Sequence, residues 1–270
     1  MELLIFVFIF LLGTIIGSFL NVVIYRFNTG RRITKGRSMC MNCGHKLRWY
    51  ELVPILSFLI QSGKCRRCKS KISVQYILVE LITGIIFTLI ALKFIPVFFF
   101  SVNLYLAYLI IFSFIFSILI VISVYDLKHK IIPDKLVLTF IISSLIAVYI
   151  DANIFKSVFT MPSFYILISG PLLALPFVLI WFFSKGRLMG LGDGKLILGM
   201  GWLLGISQGV FALILAFWIG ALVSLPIMII SKKKMTIKTE IPFAPFLIFS
   251  TLVTFLFNFD LVTLIRMFSF

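Results

Sequence analysis

From Leu3 to Tyr25 the chain carries no charged side chain. At 1.5 Å per residue, a helix of that length spans the roughly 30 Å hydrocarbon core of a bilayer. Comparable apolar runs recur at about residues 74–92, 104–125, 135–150, 164–183, 196–204, 210–230 and 243–257. Backbone in lipid has no water to bond, so only helices or a closed barrel can cross. Runs this long read as helices. With 61% hydrophobic residues, 13% charged and a mean hydropathy of +1.18, the chain stands far from soluble globular composition. The expected fold is an all-α polytopic membrane protein with about eight transmembrane helices.

Charge sets the orientation. Nearly half of the 25 Lys and Arg fall between Arg26 and Lys71, the one sizeable polar segment. Placing that segment in the cytosol leaves only Lys93, Lys156 and Arg266 outside, as the positive-inside bias requires. Both termini are then expected outside. The first apolar run is followed by positive charge at Arg26, which predicts a retained first helix and not a cleaved signal peptide. The expected organisation is helix 1 over residues 1–25, a cytosolic segment over 26–73 and a membrane core over 74–270. A net charge of +16 would suggest nucleic acid in a soluble protein. Beside a membrane, basic residues interleaved with Trp49 and Tyr50 point to anionic lipid, so no nucleic-acid partner is expected.

Acids are the costly residues in such a chain. Asp193 lies in Met189–Lys195, M-G-L-G-D-G-K, between two apolar segments. An ionisable group at membrane depth marks a functional site and calls for a partner. The topology supplies one. Asp126 is expected at the cytosolic end of helix 3 and Asp193 at the cytosolic start of helix 6. Two carboxylates brought together share a proton, so that one activates water while the other protonates a carbonyl oxygen. The glycines around Asp193 would let its backbone sit beside helix 3. Structural roles for Asp126, as a cap or a salt bridge to Lys128 or Lys130, stay open on these residues alone. Asp134, directly after Pro133, suits a cap of helix 4. Glu80, inside helix 2, is left open as a neutral hydrogen-bonded acid or a contact for a basic group.

Cys40-Met41-Asn42-Cys43 and Cys65-Arg66-Arg67-Cys68 form two C-x-x-C pairs on the polar segment. Cys40, Cys43, Cys65 and Cys68 can supply four thiolates in tetrahedral geometry, which favours a structural Zn2+ over a disulfide framework. Four thiolates complete such a site, so His45 and His129 are read as ordinary interfacial residues. Gly13 and Gly17 form a G-x-x-x-G face for close helix packing, and Asn21 suits an interhelical hydrogen bond.

Taken together these blocks resemble the type IV prepilin peptidases. The match runs through G-S-F-L-N-V-V-I-Y-R at Gly17–Arg26, the doubled C-x-x-C with R-W-Y-E at Arg48–Glu51, and L-V-E-L-I-T-G at Leu78–Gly84. It continues in Y-D-L-K-H-K-I-I-P-D at Tyr125–Asp134, M-G-L-G-D-G-K, and I-P-F-A-P-F at Ile241–Phe246. The resemblance implies catalytic aspartates at Asp126 and Asp193. It implies cleavage of a basic leader from prepilins or pseudopilins, after a glycine, at the cytosolic face of the bacterial inner membrane. It also implies methylation of the new N-terminus with S-adenosylmethionine. Ala244 stands where many members carry glycine, and no glycine-rich nucleotide fold marks a methyl-donor site. Two further readings rest on the same residues: an intramembrane protease of the presenilin kind, and a transporter with a zinc-stabilised domain.

Overall fold

The structure, a computed structural model, describes residues 2–30, 32, 36–153, 162–230 and 242–263. Arg31, Lys35, Lys156, the basic run Lys232–Lys234, Ile241, Arg266 and the expected outer C-terminus lie outside the described residues. Among the described residues the regular elements are helices: α1 Glu2–Arg26, α2 Leu56–Ile60, α3 Gln75–Lys93, α4 Ile95–Phe100, α5 Val102–His129, α6 Asp134–Asn153, α7 Phe164–Ser184, α8 Leu191–Ile230 and α9 Ala244–Phe257. A single 3-10 turn covers Trp49–Glu51. Helices α1, α3, α5, α7 and α8 are long and apolar enough to cross a membrane, which makes this a multi-pass membrane protein.

The eight expected spans map onto this order, with one added helix. Residues 93–103, which fall between the second and third expected spans, contain α4, because Pro96 falls in the first turn of a helix, where its missing N–H costs nothing. The expected sixth and seventh spans both lie within α8 and are separated, as expected, by a break at Gly205 (φ 77°, ψ −179°). α9 is a short apolar helix of 14 residues.

The chain divides into two compact units, Met1–Val121 and Ile122–Phe270, with α5 passing from one to the other. In the first unit α1 packs on α3, and the expected glycine face makes the contact. A Cβ on Gly13 would stand 2.8 Å from the Gly84 Cα, and one on Gly17 only 2.7 Å from the Glu80 Cα. Asn21 completes the seam: its Nδ2 donates to the Tyr76 carbonyl at 3.0 Å, while Tyr25 stacks on Tyr76.

In the second unit α8 is the hub, packed against α6, α7 and α9. Gly201 meets the Gly170 backbone of α7, where a Cβ would come within 2.7 Å of the Gly170 Cα. Polar groups close the same seam. Ser169 Oγ donates to the Gly201 carbonyl at 2.7 Å, and Trp202 Nε1 donates to the Leu167 carbonyl at 2.8 Å. Below it, Leu196, Ile197 and Met200 are fully buried.

Gly201 and Gly205 thus resist substitution for different reasons, one spatial and one conformational. Gly201→Val should destabilise the protein by about 1–3 kcal/mol through overpacking. Gly205→Ala should cost about as much from backbone strain alone, although a Cβ there would meet nothing within 4 Å. Thermal unfolding in detergent should therefore show both variants below wild type, while Gly201→Ala sits between wild type and Gly201→Val.

Candidate active site

Three element ends of the second unit converge on Asp126. It sits in the last turn of α5, with its own carbonyl accepting the Lys130 N–H at 2.8 Å as Lys130 turns to positive φ and ends the helix. Pro133 then starts α6, its carbonyl accepting the N–H groups of Leu136 and Val137. The Asp126 carboxylate faces the backbone N–H of Ala244, in the first turn of α9. N–H groups at a helix start have no intrahelical acceptor, so an anion is favoured there.

Asp126 is only 4% exposed, and its Oδ2 is buried without a hydrogen-bond partner. A buried carboxylate oxygen in that state calls for a proton, a donor or a water. Asp193, half-buried in the first turn of α8, lies close enough for the two charges to interact. The structure therefore brings into one electrostatic neighbourhood two acids far apart in sequence. A pair so placed can hold one proton between its members, leaving one carboxylate to act as base and one carboxyl as acid.

The glycines of the motif allow close packing. A Cβ on Gly192 would meet the Ile132 side chain at 2.9 Å, so Gly192 fits beneath the segment after α5. Gly194 packs under Val178 and Phe177 of α7, and a Cβ on Gly190 would stand 3.6 Å from Asp193 Oδ2. Asp134 was expected as a helix cap. Its Oδ1 instead meets Lys195 Nζ at 2.6 Å, tying the start of α6 to the turn that carries Asp193. The pair is exposed and stabilises by at most about 1 kcal/mol, so it orients more than it holds.

The polar segment of the first unit builds a second candidate centre. The Sγ atoms of Cys40, Cys43, Cys65 and Cys68 all lie within 4.8 Å of one another, with Cys40 and Cys68 at 3.8 Å. Tetrahedral zinc with Zn–S near 2.3 Å places its sulfurs about 3.8 Å apart, while a disulfide needs roughly 2 Å. The cluster is thus able to hold a metal ion. Each pair is folded the same way: Cys40 N–H bonds the His45 carbonyl and Gly44 N–H returns to Cys40, as Cys65 bonds Ser70 and Lys69 returns to Cys65. Gly44 and Lys69 both take positive φ at the equivalent position.

Electrostatics in the cluster favour a cation. Ser70, through its hydroxyl and its N–H, holds the Cys68 thiol down at about 5. Backbone N–H groups of Cys43 and Asn42 lower Cys40. Cys43 is pushed up to about 11: the His45 N–H favours its thiolate, but burial and the other sulfurs outweigh it. Four thiolates can coexist here only around a positive ion. Sequence reasoning missed one contributor. Glu51, 7% exposed, accepts the Arg48 N–H at 2.8 Å and meets His45 Nε2 at 3.5 Å, bracing the turn after the first knuckle. The signal was present in R-W-Y-E, where an acid three residues after Arg48 can bond back to that residue's N–H.

Comparison with known proteins follows the same division. Residues 11–94 match the family described as Bacterial Peptidase A24 N-terminal domain, and residues 113–225 match the Type IV leader peptidase family. A Vibrio cholerae protein named prepilin leader peptidase/N-methyltransferase is 33% identical over 73% of this chain and 76% of its own length. One of the same name from Dichelobacter nodosus is 30% identical over 93% of this chain and 91% of its own. Another, from Myxococcus xanthus, is 53% identical over 30% of this chain and 24% of its own. No solved structure matches. By the Vibrio cholerae and Dichelobacter nodosus relatives, of which it covers most of the length, the chain belongs to the type IV leader peptidase family.

Proposed function

We propose that this protein removes the short basic leader from prepilins or pseudopilins after a glycine, at the cytosolic face of the bacterial inner membrane. Asp126 and Asp193 are the catalytic pair. The supporting observation is the buried, unpartnered Oδ2 of Asp126 within electrostatic range of Asp193. With one proton between them, one carboxylate takes a proton from water as its oxygen attacks the glycine carbonyl. The protonated partner gives its proton to the carbonyl oxygen. Collapse breaks the C–N bond, the leader leaves as a carboxylate and the amine receives a proton. A substrate whose basic leader precedes an apolar helix presents this bond at the membrane surface.

The second activity is methylation of the new N-terminal amine by S-adenosylmethionine. The amine nitrogen forms the new N–C bond, the donor sulfur keeps the pair from the broken S–C bond, and the amine proton passes to solvent. The basis is the name of the relatives, prepilin leader peptidase/N-methyltransferase. Residues 26–73 form a domain with structural zinc on Cys40, Cys43, Cys65 and Cys68, and residues 74–270 form the peptidase core.

Asp126→Asn and Asp193→Asn should each lower leader cleavage by roughly a hundred- to ten-thousandfold, the usual share of acid–base catalysis. Mass spectrometry of a prepilin incubated with membranes reads this directly. A variant retaining more than a tenth of wild-type rate removes that residue from the pair. For the cysteines, metal analysis should return stoichiometric zinc in the wild type and loss of it in Cys65→Ser. Acidification should release the metal as protons compete for the thiolates. Metal-free protein carrying disulfides contradicts the assignment.

A further inference from the structure

The first unit contains a cavity of about 1030 Å3 walled by the lower part of α1, the start of α3 and the polar segment between them. Its size is at the upper end of small-molecule and cofactor sites; it adjoins the cysteine cluster through Cys40 and Cys65 but extends well beyond it to Ser18, Asn21, Tyr76 and Glu80. Three features of its wall describe the occupant. Asn21 is 1% exposed, and its Oδ1 has no partner, although its Nδ2 is used twice. A buried acceptor in that state calls for a donor from a ligand. Glu80 and Glu51, each 7% exposed, give the wall two buried acids. Glu80 Oε2 is held by the Ile55 N–H at 2.8 Å, so the carboxyl is fixed in orientation. The wall also carries Arg26 and Arg37, and Arg26 holds the strand of chain at its rim by donating to the Arg32 and Arg37 carbonyls.

A wall of both signs suits a ligand of both signs. A polyanion such as a nucleotide triphosphate would face two buried acids, and a simple cation would face the arginines. The stacked rings of Tyr25 and Tyr76, centroids 4.9 Å apart, add an aromatic surface on the same wall. Aromatic faces take flat rings by stacking and cations by their quadrupole. An ammonium and a sulfonium, a carboxylate and a purine in one molecule meet all of these demands.

We infer that this cavity is the binding site of S-adenosylmethionine, with Asn21 and Glu80 receiving its donor and cationic groups and Tyr25 and Tyr76 its flat or cationic surface. The inference rests on the methylation proposed above and adds its location, which is confined to the first unit.

The test uses the full-length enzyme in nanodiscs of phosphatidylethanolamine and phosphatidylglycerol. Ultraviolet cross-linking of methyl-labelled S-adenosylmethionine, mapped by peptide mass spectrometry, should place the label within residues 18–26, 36–42 or 73–80. Equilibrium binding should weaken by at least about tenfold in Glu80→Gln, the usual effect of losing a charged hydrogen-bond partner. The same should hold in Val22→Trp, which fills the cavity while leaving its polar groups in place. Label mapped to residues 122–270, wild-type affinity in both variants, or a tightly held phospholipid that S-adenosylmethionine does not displace overturns the location. If the wild type methylates a prepilin while any of these holds, only the location fails. If the wild type neither binds the donor nor methylates, the methylation reading fails with it.

Discussion

Close approach of helices at small residues underlies both units. Lipid is as apolar as leucine, so burying leucine gives helices in a bilayer little reason to associate. Contact between backbones gives them one. In the first unit Gly13 and Gly17 press onto Gly84 and Glu80, and in the second Gly201 presses onto Gly170. At each seam, once the backbones touch, nearby side-chain donors reach carbonyls of the opposite helix: Asn21 to Tyr76, Ser169 to Gly201, Trp202 to Leu167. Within the hydrocarbon region a bond of this kind has no competing water. A larger side chain at Gly201 would therefore separate the helices and break their hydrogen bonds together.

The acid pair depends on the second of these seams. α8 is held against α7 at Gly201, two turns beyond Asp193, so the seam fixes the height at which the acid emerges. Gly192 beneath Ile132 and Lys195 against Asp134 then set its place relative to the segment that follows Asp126. Asp126 itself combines an N–H from Ala244 with an oxygen left unpartnered, an expensive arrangement for a buried carboxyl. Packing alone gives no reason to keep it. The proposed catalysis by a shared proton would, since such a group must be neither fully paired nor freely hydrated.

Much of this was legible in the sequence because membrane constraints are strict. Apolar run length located the helices, and the spacing of cysteines located the cluster. The details that escaped were set by local chemistry. Residues 93–103 fell between two expected spans, yet proline is permitted in the first turn of a helix, so α4 forms there around Pro96. The glycines near Asp193 were read as clearance for its backbone, and the partners they fit under, Ile132 and Val178, follow from folding and not from spacing. Asn21 read as an interhelical donor and is one, yet its orphaned oxygen on a cavity wall needs coordinates to be seen. The transporter reading, open on the acids alone, has no support once the chain is placed in a peptidase family.

The central claim is that Asp126 and Asp193 act as one titrating pair in which one member is charged and the other protonated. The pH dependence of single-turnover leader cleavage tests it most directly. A shared proton requires a bell-shaped profile, with activity lost on the acid side as the second proton binds and on the alkaline side as the last one leaves. Both limbs belong to the pair, not to either residue. A rate that rises with pH to a plateau, with no alkaline fall while the protein remains folded, would contradict it, because the reaction would then need a base and no protonated carboxyl.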